Sequence, residues 1–268
     1  MAENQGNDGV EDAGYGDILY ESHDHVGVIT LNRPDVHNAL RRRTYDELED
    51  AVRTSTDRVL IITGAGRSFC SGDDVRELMG GGDKKKAPRP APRLTPAADA
   101  LLHTDIPVIA AVNGSAVGWG MELALFADFR VAARSAKFGE LFVKRGLCSD
   151  VGGIGRLAQL IGREATAEML FTGEVISAED AKEIGLVRRV VDDVELMPTA
   201  HELAAKIAAN PPLAVSALKS GLRRSLDPDW ASLGRWVSST LGELFKTEDH
   251  REGVQSFLEK RDAHYVGR

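Results

Sequence analysis

Cysteine and long apolar runs are both scarce in this 268-residue sequence, and each scarcity excludes a class of protein. Two cysteines, Cys70 and Cys148, can build neither a disulfide framework nor a multi-cysteine metal site, so we expect both to be small buried side chains. The seven histidines show no zinc-binding spacing. Apolar runs such as residues 107–112 are too short to cross a bilayer, and the N-terminus lacks the composition of a signal peptide. We therefore expect no metal, no membrane association and a cytoplasmic location.

A stripe of basic residues interleaved with aromatics is absent as well. The formal net charge is -8, but five acids and no base lie within the first 17 residues, so the rest of the chain is nearly balanced at -3. Nucleic acid is therefore excluded as the expected partner. With 43% hydrophobic and 28% charged residues, the chain is long enough to bury a substantial core.

Apolar periodicity predicts an α/β fold. A capping box from Ser177 to Asp180 predicts a helix that stops at Gly185, and helical spacing extends over residues 37–54. Strands alternating with helices indicate buried sheets. The short β-branched runs bounded by Gly, Pro, Asn or Asp predict strands at 25–31, 58–64, 107–114 and 186–191.

Composition divides the chain into three predicted regions. Residues 1–16 are polar and glycine-rich, which predicts a disordered tail, and residues 17–200 carry the α/β pattern. Strand signals then disappear, so residues 201–268 are predicted to be helical. Residues 79–96 hold three glycines, four prolines and five basic residues against one acid, which predicts a mobile loop. This loop is either a surface insertion or a cover that attracts the phosphates of a substrate.

Two glycine-containing turns carry the candidate chemistry, "SFCSGDD" at 68–74 and "NGSAVGWGMEL" at 113–123. Each follows an apolar strand and precedes a helix start, where backbone N–H groups lack partners and can bind an anion. Neither turn fits the GxGxxG or the Walker-type pattern, so dinucleotide and P-loop sites are not supported. Glu122 lies one helical turn after the glycine-rich part of the second stretch, inside an otherwise apolar run.

Several motifs in order resemble the enoyl-CoA hydratase/isomerase (crotonase) family over nearly the whole chain. They include "VGVITLNRPDVHNAL", "GAGRSFCSGDDVREL", "IPVIAAVNGSAVGWGMELALFADFRVAARSAKFG", "LFTGEVISAEDAKEIGLV" and "REGVQSFLEKR". The resemblance implies an α/β crotonase (ClpP/crotonase-like) fold of repeated ββα units in two near-perpendicular sheets. It also implies a C-terminal helical region that assembles homotrimers or dimers of trimers. The implied substrate is an acyl-CoA thioester, with CoA entering as part of the substrate and no permanently bound cofactor.

By position, the family's oxyanion hole falls on the backbone N–H groups of Ser71 and Trp119. Such donors would stabilise the enolate of a thioester, and losing one donor from a comparable hole costs about 3 kcal/mol. A nucleophilic role for the Ser71 hydroxyl is disfavoured, because no histidine partner can be assigned. The Trp119 side chain stands where the family often has glycine, so it either narrows the acyl pocket or packs in ordinary core.

The acids match the family's hydratases only in part. Glu122 corresponds to one of their two catalytic glutamates, but Phe142 occupies the second position and is expected to line the acyl pocket. Glu140 lies two residues away, a shift that need not reach the same cavity. Asp150 resembles an aspartate of dienoyl-CoA isomerases and stands at the nucleophile position of aromatic acyl-CoA dehalogenases. It is also a candidate helix N-cap.

We expect Glu122 to act as acid and base with Asp150 assisting. One general base suffices for double-bond migration, whereas hydration needs two positioned groups, so isomerisation or atypical hydration is favoured over ordinary hydration. Two alternatives stay open. Either the chain has lost catalysis and only binds CoA thioesters, as Phe142 suggests, or it carries out acyl substitution or thioester hydrolysis through Asp150.

The resemblance also implies a CoA site. Arg76 would lie near a phosphate, and Phe257 and Lys260 would belong to a C-terminal helix that approaches the nucleotide end. Solvated helix charges are the alternative for Arg76 and Lys260, and a core anchor is the alternative for Phe257. The expected CoA contacts are His37, Ala39, Asp73, Asp74, Val75, Arg76, Phe257 and Lys260.

Overall fold

Strands alternate between two sheets in the computed structural model, which describes residues 14–78, 94–226 and 229–263. The described strands are β1 (Ile18–His23), β2 (Val26–Leu31), β3 (Val59–Gly64), β4 (Ser68–Cys70), β5 (Val108–Val112), β6 (Ser115–Val117), β7 (Phe129–Ala133), β8 (Lys137–Gly139), β9 (Val175–Ser177) and β10 (Arg189–Val191). The larger sheet has the order β1-β2-β3-β5-β7-β10 and the smaller one the order β4-β6-β8-β9. All neighbours are parallel except β1 with β2 and β8 with β9.

The pairs β3/β4, β5/β6 and β7/β8 each place one strand in each sheet, which is the predicted repeat. The described helices are α1 (Arg42–Thr54), α2 (Val75–Leu78), α3 (Pro96–His103), α4 (Trp119–Phe126), α5 (Leu157–Ile161), α6 (Arg163–Thr172), α7 (Ala178–Glu183), α8 (Leu196–Ala208), α9 (Pro212–Leu226), α10 (Trp230–Leu244) and α11 (Glu248–Glu259). A π-helical turn, Gly152–Arg156, precedes α5. The predicted α/β class, with two sheets and a helical C-terminal region, is confirmed.

Both faces of the larger sheet are buried at its central strands β3 and β5, because these strands carry apolar residues at successive positions. Leu60 and Ile62 of β3 belong to the cluster that also contains residues of α1, α3 and α4. Val59 and Ile61 point to the opposite face, where they belong to one cluster with Leu196, Ala200, Ala204 and Ala208 of α8. Helices therefore cover this sheet on two sides.

The predicted elements are present with shifted ends. The four predicted strands are found as β2, β3, β5 and β10, and both hydrogen bonds of the Ser177–Asp180 capping box are made at the start of α7. The helix predicted over 37–54 begins only at Arg42. His37 and Asn38 adopt left-handed backbone angles, with φ of 56° and 54°, which a right-handed helix does not accommodate.

The predicted region boundaries remain predictions. At two of them, near residues 16 and 200, the described structure can be compared with the predicted position. Residues 1–13 and 79–93, which hold most of the predicted tail and of the predicted mobile loop, lie outside the described residues. Tyr15 and Gly16, at the end of the predicted tail, donate hydrogen bonds to Asp50 and Glu47 of α1. Helix α8 begins at Leu196 and crosses the predicted boundary at residue 200.

Two further sequence expectations can be compared with the described part of the chain. Within it, no helix combines the length and the apolar character that crossing a bilayer requires. Cys70 is buried as expected, but the expectation for Cys148 is wrong, since that side chain is only partly buried. Cys148 lies in the irregular segment before the π-helical turn and does not belong to the buried hydrophobic clusters.

Candidate active site

The turns that follow β4, β6 and β8 meet at one edge of the smaller sheet. Strand β6 is parallel to β4 on one side and to β8 on the other, so the carboxyl ends of all three strands point the same way. The turn after β4 holds residues 71–74, the turn after β6 leads into α4 at Trp119, and the turn after β8 holds residues 140–142. This edge therefore brings together residues that are up to 71 positions apart in sequence.

A cavity of about 740 Å³ opens at this edge. Its walls include Ser71, Trp119 and Phe142, together with Leu141, Arg145, Leu147 and Arg261, which the sequence did not single out. The residues expected to contact CoA line the same cavity, namely His37, Ala39, Asp73, Asp74, Val75, Arg76, Phe257 and Lys260. Glu122 and Asp150 are not among its lining residues.

Glycine lets the first two turns approach each other closely. A Cβ on Gly72 would lie 2.9 Å from the Val117 carbonyl oxygen and 3.1 Å from the Trp119 nitrogen, and Gly72 has a φ of +83°. A Cβ on Gly120 would lie 2.1 Å from the Cys70 carbonyl oxygen. Trp119 is the first residue of α4, so its N–H has no acceptor within the helix.

The Ser71 N–H is engaged within the fold. It donates to the His37 carbonyl oxygen at 3.0 Å, as part of a strand-like pairing in which the Leu40 N–H also donates to the Gly72 carbonyl oxygen. The expected second oxyanion donor therefore already has an acceptor. The His37 ring contacts the Ser68 hydroxyl and the Arg67 guanidinium, while the Ser71 hydroxyl lies 3.4 Å from the Val36 carbonyl oxygen.

The Trp119 indole fits both interpretations that its sequence position allows. It lines the cavity, and it packs edge-to-face against Tyr45 at 4.7 Å and Phe126 at 5.7 Å between ring centroids. Its ring N–H donates to Oδ2 of Asp150 at 3.3 Å. The indole thus connects the cavity wall to an acid behind it.

Asp150 is partly buried at the start of the π-helical turn. Its Oδ1 accepts the Val151 N–H at 2.8 Å, which resembles the N-cap alternative but uses the adjacent residue. Burial raises the pKa of Asp150, while the bonds from Val151 and from the Trp119 indole oppose the rise. Asp150 is therefore a stronger base than an exposed aspartate would be.

Glu122 is fully buried, at 0% exposure, and its carboxylate is surrounded by donors. Oε1 accepts from the Ser149 hydroxyl at 2.7 Å and from the N–H groups of Asp150 and Gly153 at 3.0 and 3.1 Å. Burial raises the pKa of Glu122, and the nearby Glu140 and Asp150 carboxyls raise it further, while the hydrogen bonds from Ser149 and Gly153 oppose the rise. Glu122 and Asp150 are thus adjacent, which the sequence left open.

Glu140 reaches Glu122 through Ser149, although the sequence left this open. The Glu140 side chain is 1% exposed, and its Oε2 lies 2.8 Å from the Ser149 Oγ. Phe142 lines the cavity instead of supplying an acid there. Glu122 and Glu140 therefore lie buried behind the cavity wall, and the partly buried Asp150 contacts that wall through the Trp119 indole.

Basic side chains are frequent in the remaining cavity wall. Arg76, Arg145, Lys260 and Arg261 all line it, and the Arg145 guanidinium lies 4.3 Å from the centroid of the Phe257 ring. Phe257 is 51% exposed, so its interpretation as a core anchor is wrong. In the described ranges, no three His, Cys, Asp or Glu side chains are grouped so that they could hold a metal ion.

The chain is similar to known proteins over almost its whole length. A family model described as enoyl-CoA hydratase/isomerase matches residues 21–268. A crotonyl-CoA hydratase of Syntrophomonas wolfei is 35% identical, covering 95% of this chain and 99% of that protein. A 1,2-epoxyphenylacetyl-CoA isomerase of Escherichia coli is 36% identical, covering 92% and 98%. The crystal structure of an enoyl-CoA hydratase/isomerase from Pseudoalteromonas atlantica superposes with a TM-score of 0.85 at 25% identity, covering 94% of this chain and 100% of that one.

Proposed function

We propose that this chain, which belongs to the enoyl-CoA hydratase/isomerase family, moves a carbon–carbon double bond within an enoyl-CoA thioester. Its activity on an acyl-CoA thioester follows from the family. The choice of migration over hydration is supported by the third turn, where Phe142 lines the cavity. A hydratase would need a second acid positioned there, whereas migration needs one base.

Asp150 is the proposed base. It is the partly exposed acid of the three, and it contacts the Trp119 indole in the cavity wall. Its carboxylate takes a proton from the α-carbon of a 3-enoyl thioester, and the electron pair delocalises as a dienolate onto the thioester oxygen. The same proton returns to the γ-carbon, which gives the 2-enoyl thioester without the use of water. The role that the sequence gave to Glu122 thus passes to its neighbour, with Glu122 behind it.

The dienolate oxygen is proposed to lie at the start of α4. The Trp119 N–H is available there because it is the first residue of the helix. The Ser71 N–H is the second proposed donor, which requires the oxygen to share this hydrogen with the His37 carbonyl or to displace that carbonyl. Two donors in a water-poor site are each worth about 3 kcal/mol.

The CoA part is proposed to occupy the basic portion of the cavity. Arg76, Arg145 and Lys260 supply positive charge for its phosphates, while Trp119 and Phe142 bound the acyl chain. No bound cofactor is proposed beyond this CoA. We further propose that the chain is cytoplasmic and assembles as a homotrimer or a dimer of trimers. Light scattering of the purified chain measures the mass of the assembly and so tests its size.

Product analysis with two substrates tests the reaction. Crotonyl-CoA reports hydration, and a 3-enoyl-CoA reports migration. We expect migration to be the faster reaction, and Asp150→Asn to lower it by about 10²- to 10⁴-fold while acyl-CoA binding persists. Faster hydration of crotonyl-CoA would contradict the proposal. Undiminished migration by Asp150→Asn would exclude this residue as the base, and an acyl-aspartyl adduct trapped in a single turnover would indicate acyl substitution instead.

A further inference from the structure

Ser149 lies between two buried glutamates and has one hydrogen to give. Its Oγ is 2.7 Å from Oε1 of Glu122 and 2.8 Å from Oε2 of Glu140, and the three residues are 4%, 0% and 1% exposed. A hydroxyl donates one hydrogen bond, whereas an ionised carboxylate can only accept. Both short contacts are hydrogen bonds only if one of the carboxyls carries a proton and donates it to Ser149.

The other neighbours of the two acids differ and indicate which one is protonated. Glu122 also accepts the backbone N–H groups of Asp150 and Gly153, which stabilise a negative charge. Glu140 has its Oε1 buried with no hydrogen-bond partner among the described residues. A bare buried carboxylate oxygen costs much more than the unpaired carbonyl oxygen of a neutral acid. The donors therefore favour an ionised Glu122 and a neutral Glu140.

We infer that Glu140 is a protonated acid at neutral pH and serves as a proton store for Glu122, to which Ser149 connects it. In a transfer, the Oε2–H bond of Glu140 breaks as Ser149 Oγ takes that proton, and the original hydrogen of Ser149 passes to Oε1 of Glu122. The negative charge moves from Glu122 to Glu140, and no further reactant is needed. Glu140 is thus a positioning residue that acts through Ser149.

The consequence for turnover rests on the proposed function. Glu122 accepts the backbone N–H of Asp150, and repulsion between the two carboxylates disfavours a negative charge on both. Moving the charge to Glu140 takes it off the carboxylate that is hydrogen-bonded to the Asp150 backbone. This proton relay of Glu140, Ser149 and Glu122 would therefore adjust the basicity of Asp150 during the reaction.

The π-helical turn packs directly against this relay. A Cβ on Gly153 would lie 1.9 Å from Ser149 Oγ and 3.0 Å from Cδ of Glu140, and a Cβ on Gly152 would lie 2.1 Å from Oε2 of Glu122. The two glycines therefore make room for the hydrogen-bonded chain. π-Turns inside helices are frequent at functional sites.

Three titratable groups lie around Glu122, from the segments before and after Ser149. They are the carboxyls of Glu140 and Asp150 and the thiol of Cys148. Burial raises the pKa of Glu140 to about 8 and the pKa of the Cys148 thiol to about 11. The Cys148 thiol therefore keeps its proton at neutral pH, and Glu140 titrates closer to it.

Infrared spectroscopy of the purified full chain without substrate tests the proton store. We expect the carbonyl band of a protonated carboxylic acid at pH 7 and its loss in Glu140→Gln, whose amide can still donate to Ser149. Glu164→Gln, on the exposed start of α6, is the matched control and should keep the band. A native protein without the band, or its persistence in Glu140→Gln, would overturn the inference. Because no turnover is involved, the result does not depend on the proposed reaction.

Two further measurements cover the relay itself. Ser149→Ala keeps both glutamates but removes the hydroxyl between them. The carbonyl band should then shift to the position of an acid without a hydrogen-bonded partner. An unshifted band would contradict the hydrogen bond between Glu140 and Ser149. The pH profile of kcat/KM should change slope near pH 8 in the native enzyme and lose this change in Glu140→Gln. The same inflection in both proteins would show that the titration of Glu140 does not affect kcat/KM.

Discussion

Gly120 is the position at which the first two turns touch, and a methyl group there should separate the two proposed oxyanion donors. Its added Cβ would lie 2.1 Å from the Cys70 carbonyl oxygen and 2.8 Å from the Cys70 Cβ. The Cys70 carbonyl is backbone, so the clash cannot be relieved by rotating a side chain. Trp119 precedes Gly120 and Ser71 follows Cys70, so both N–H groups are one residue from the contact.

The size of the effect follows from the displacement that the methyl group forces. The start of α4 and the end of β4 must separate by about 1 Å, and a misplacement of this size costs about 100-fold in rate. We therefore expect Gly120→Ala to lower kcat about 100-fold with little change in KM, since the basic residues that would hold CoA are elsewhere in the cavity. Overpacking should also destabilise the fold by about 1–3 kcal/mol.

Steady-state kinetics on a 3-enoyl-CoA and thermal unfolding measure both effects. The matched control is Gly221→Ala in α9, where an added Cβ meets nothing within 4 Å. This control should keep native kinetics and gain about 1 kcal/mol, since alanine favours a helix over glycine. A native kcat for Gly120→Ala would refute the reasoning. A rise in KM alone would mean that the two N–H groups do not bind the reacting oxygen.

Two other predictions concern pH. Trp119→Phe removes the indole N–H that lowers the pKa of Asp150, so the acid limb of the kcat/KM profile should move to higher pH; an unmoved limb would show that Asp150 is not the base. The Arg41 hydrogen bonds hold the pKa of buried Asp17 below its usual 3.8, so Asp17→Asn should cost about 2 kcal/mol at pH 7. The ionised Asp17 carboxylate contributes this stability above a pH of about 4, and the contribution is lost as the pH falls and the carboxylate protonates. The difference in unfolding free energy between the native protein and Asp17→Asn, measured with denaturant, should therefore shrink below about pH 4. A difference that stays constant with pH would contradict the assignment.

Much of the site could be predicted because it depends on backbone signals. Short β-branched runs followed by glycine and a helix start specify where each turn lies. Parallel pairing then places these turns at one edge, as it does for the turns that contain Ser71 and Trp119. The expected CoA contacts consequently line one cavity with them.

The rest could not be predicted because it depends on side-chain directions in irregular backbone. Residues 140–151 contain no strand and only one short 3₁₀ turn, Phe142–Arg145, so no periodicity specifies that Glu140 and Ser149 point toward Glu122. The engaged N–H of Ser71 has a similar cause. It depends on the left-handed conformation of His37, which in this sequence looked like part of a helix. Asn38 just after it, a residue type that tolerates this conformation, was the available signal.

Strand β6 lies between β4 and β8, and this order separates two tasks of the protein. The β4 and β6 turns are locked by glycine against each other's backbone, which leaves almost no freedom for either one to change. The β8 turn contacts only one of them through the sheet and leads into an irregular segment. Exchanging residues 140–151 alone should therefore change which reaction is catalysed, while the β4 and β6 turns still bind the thioester oxygen. This segment is therefore a suitable target for laboratory evolution.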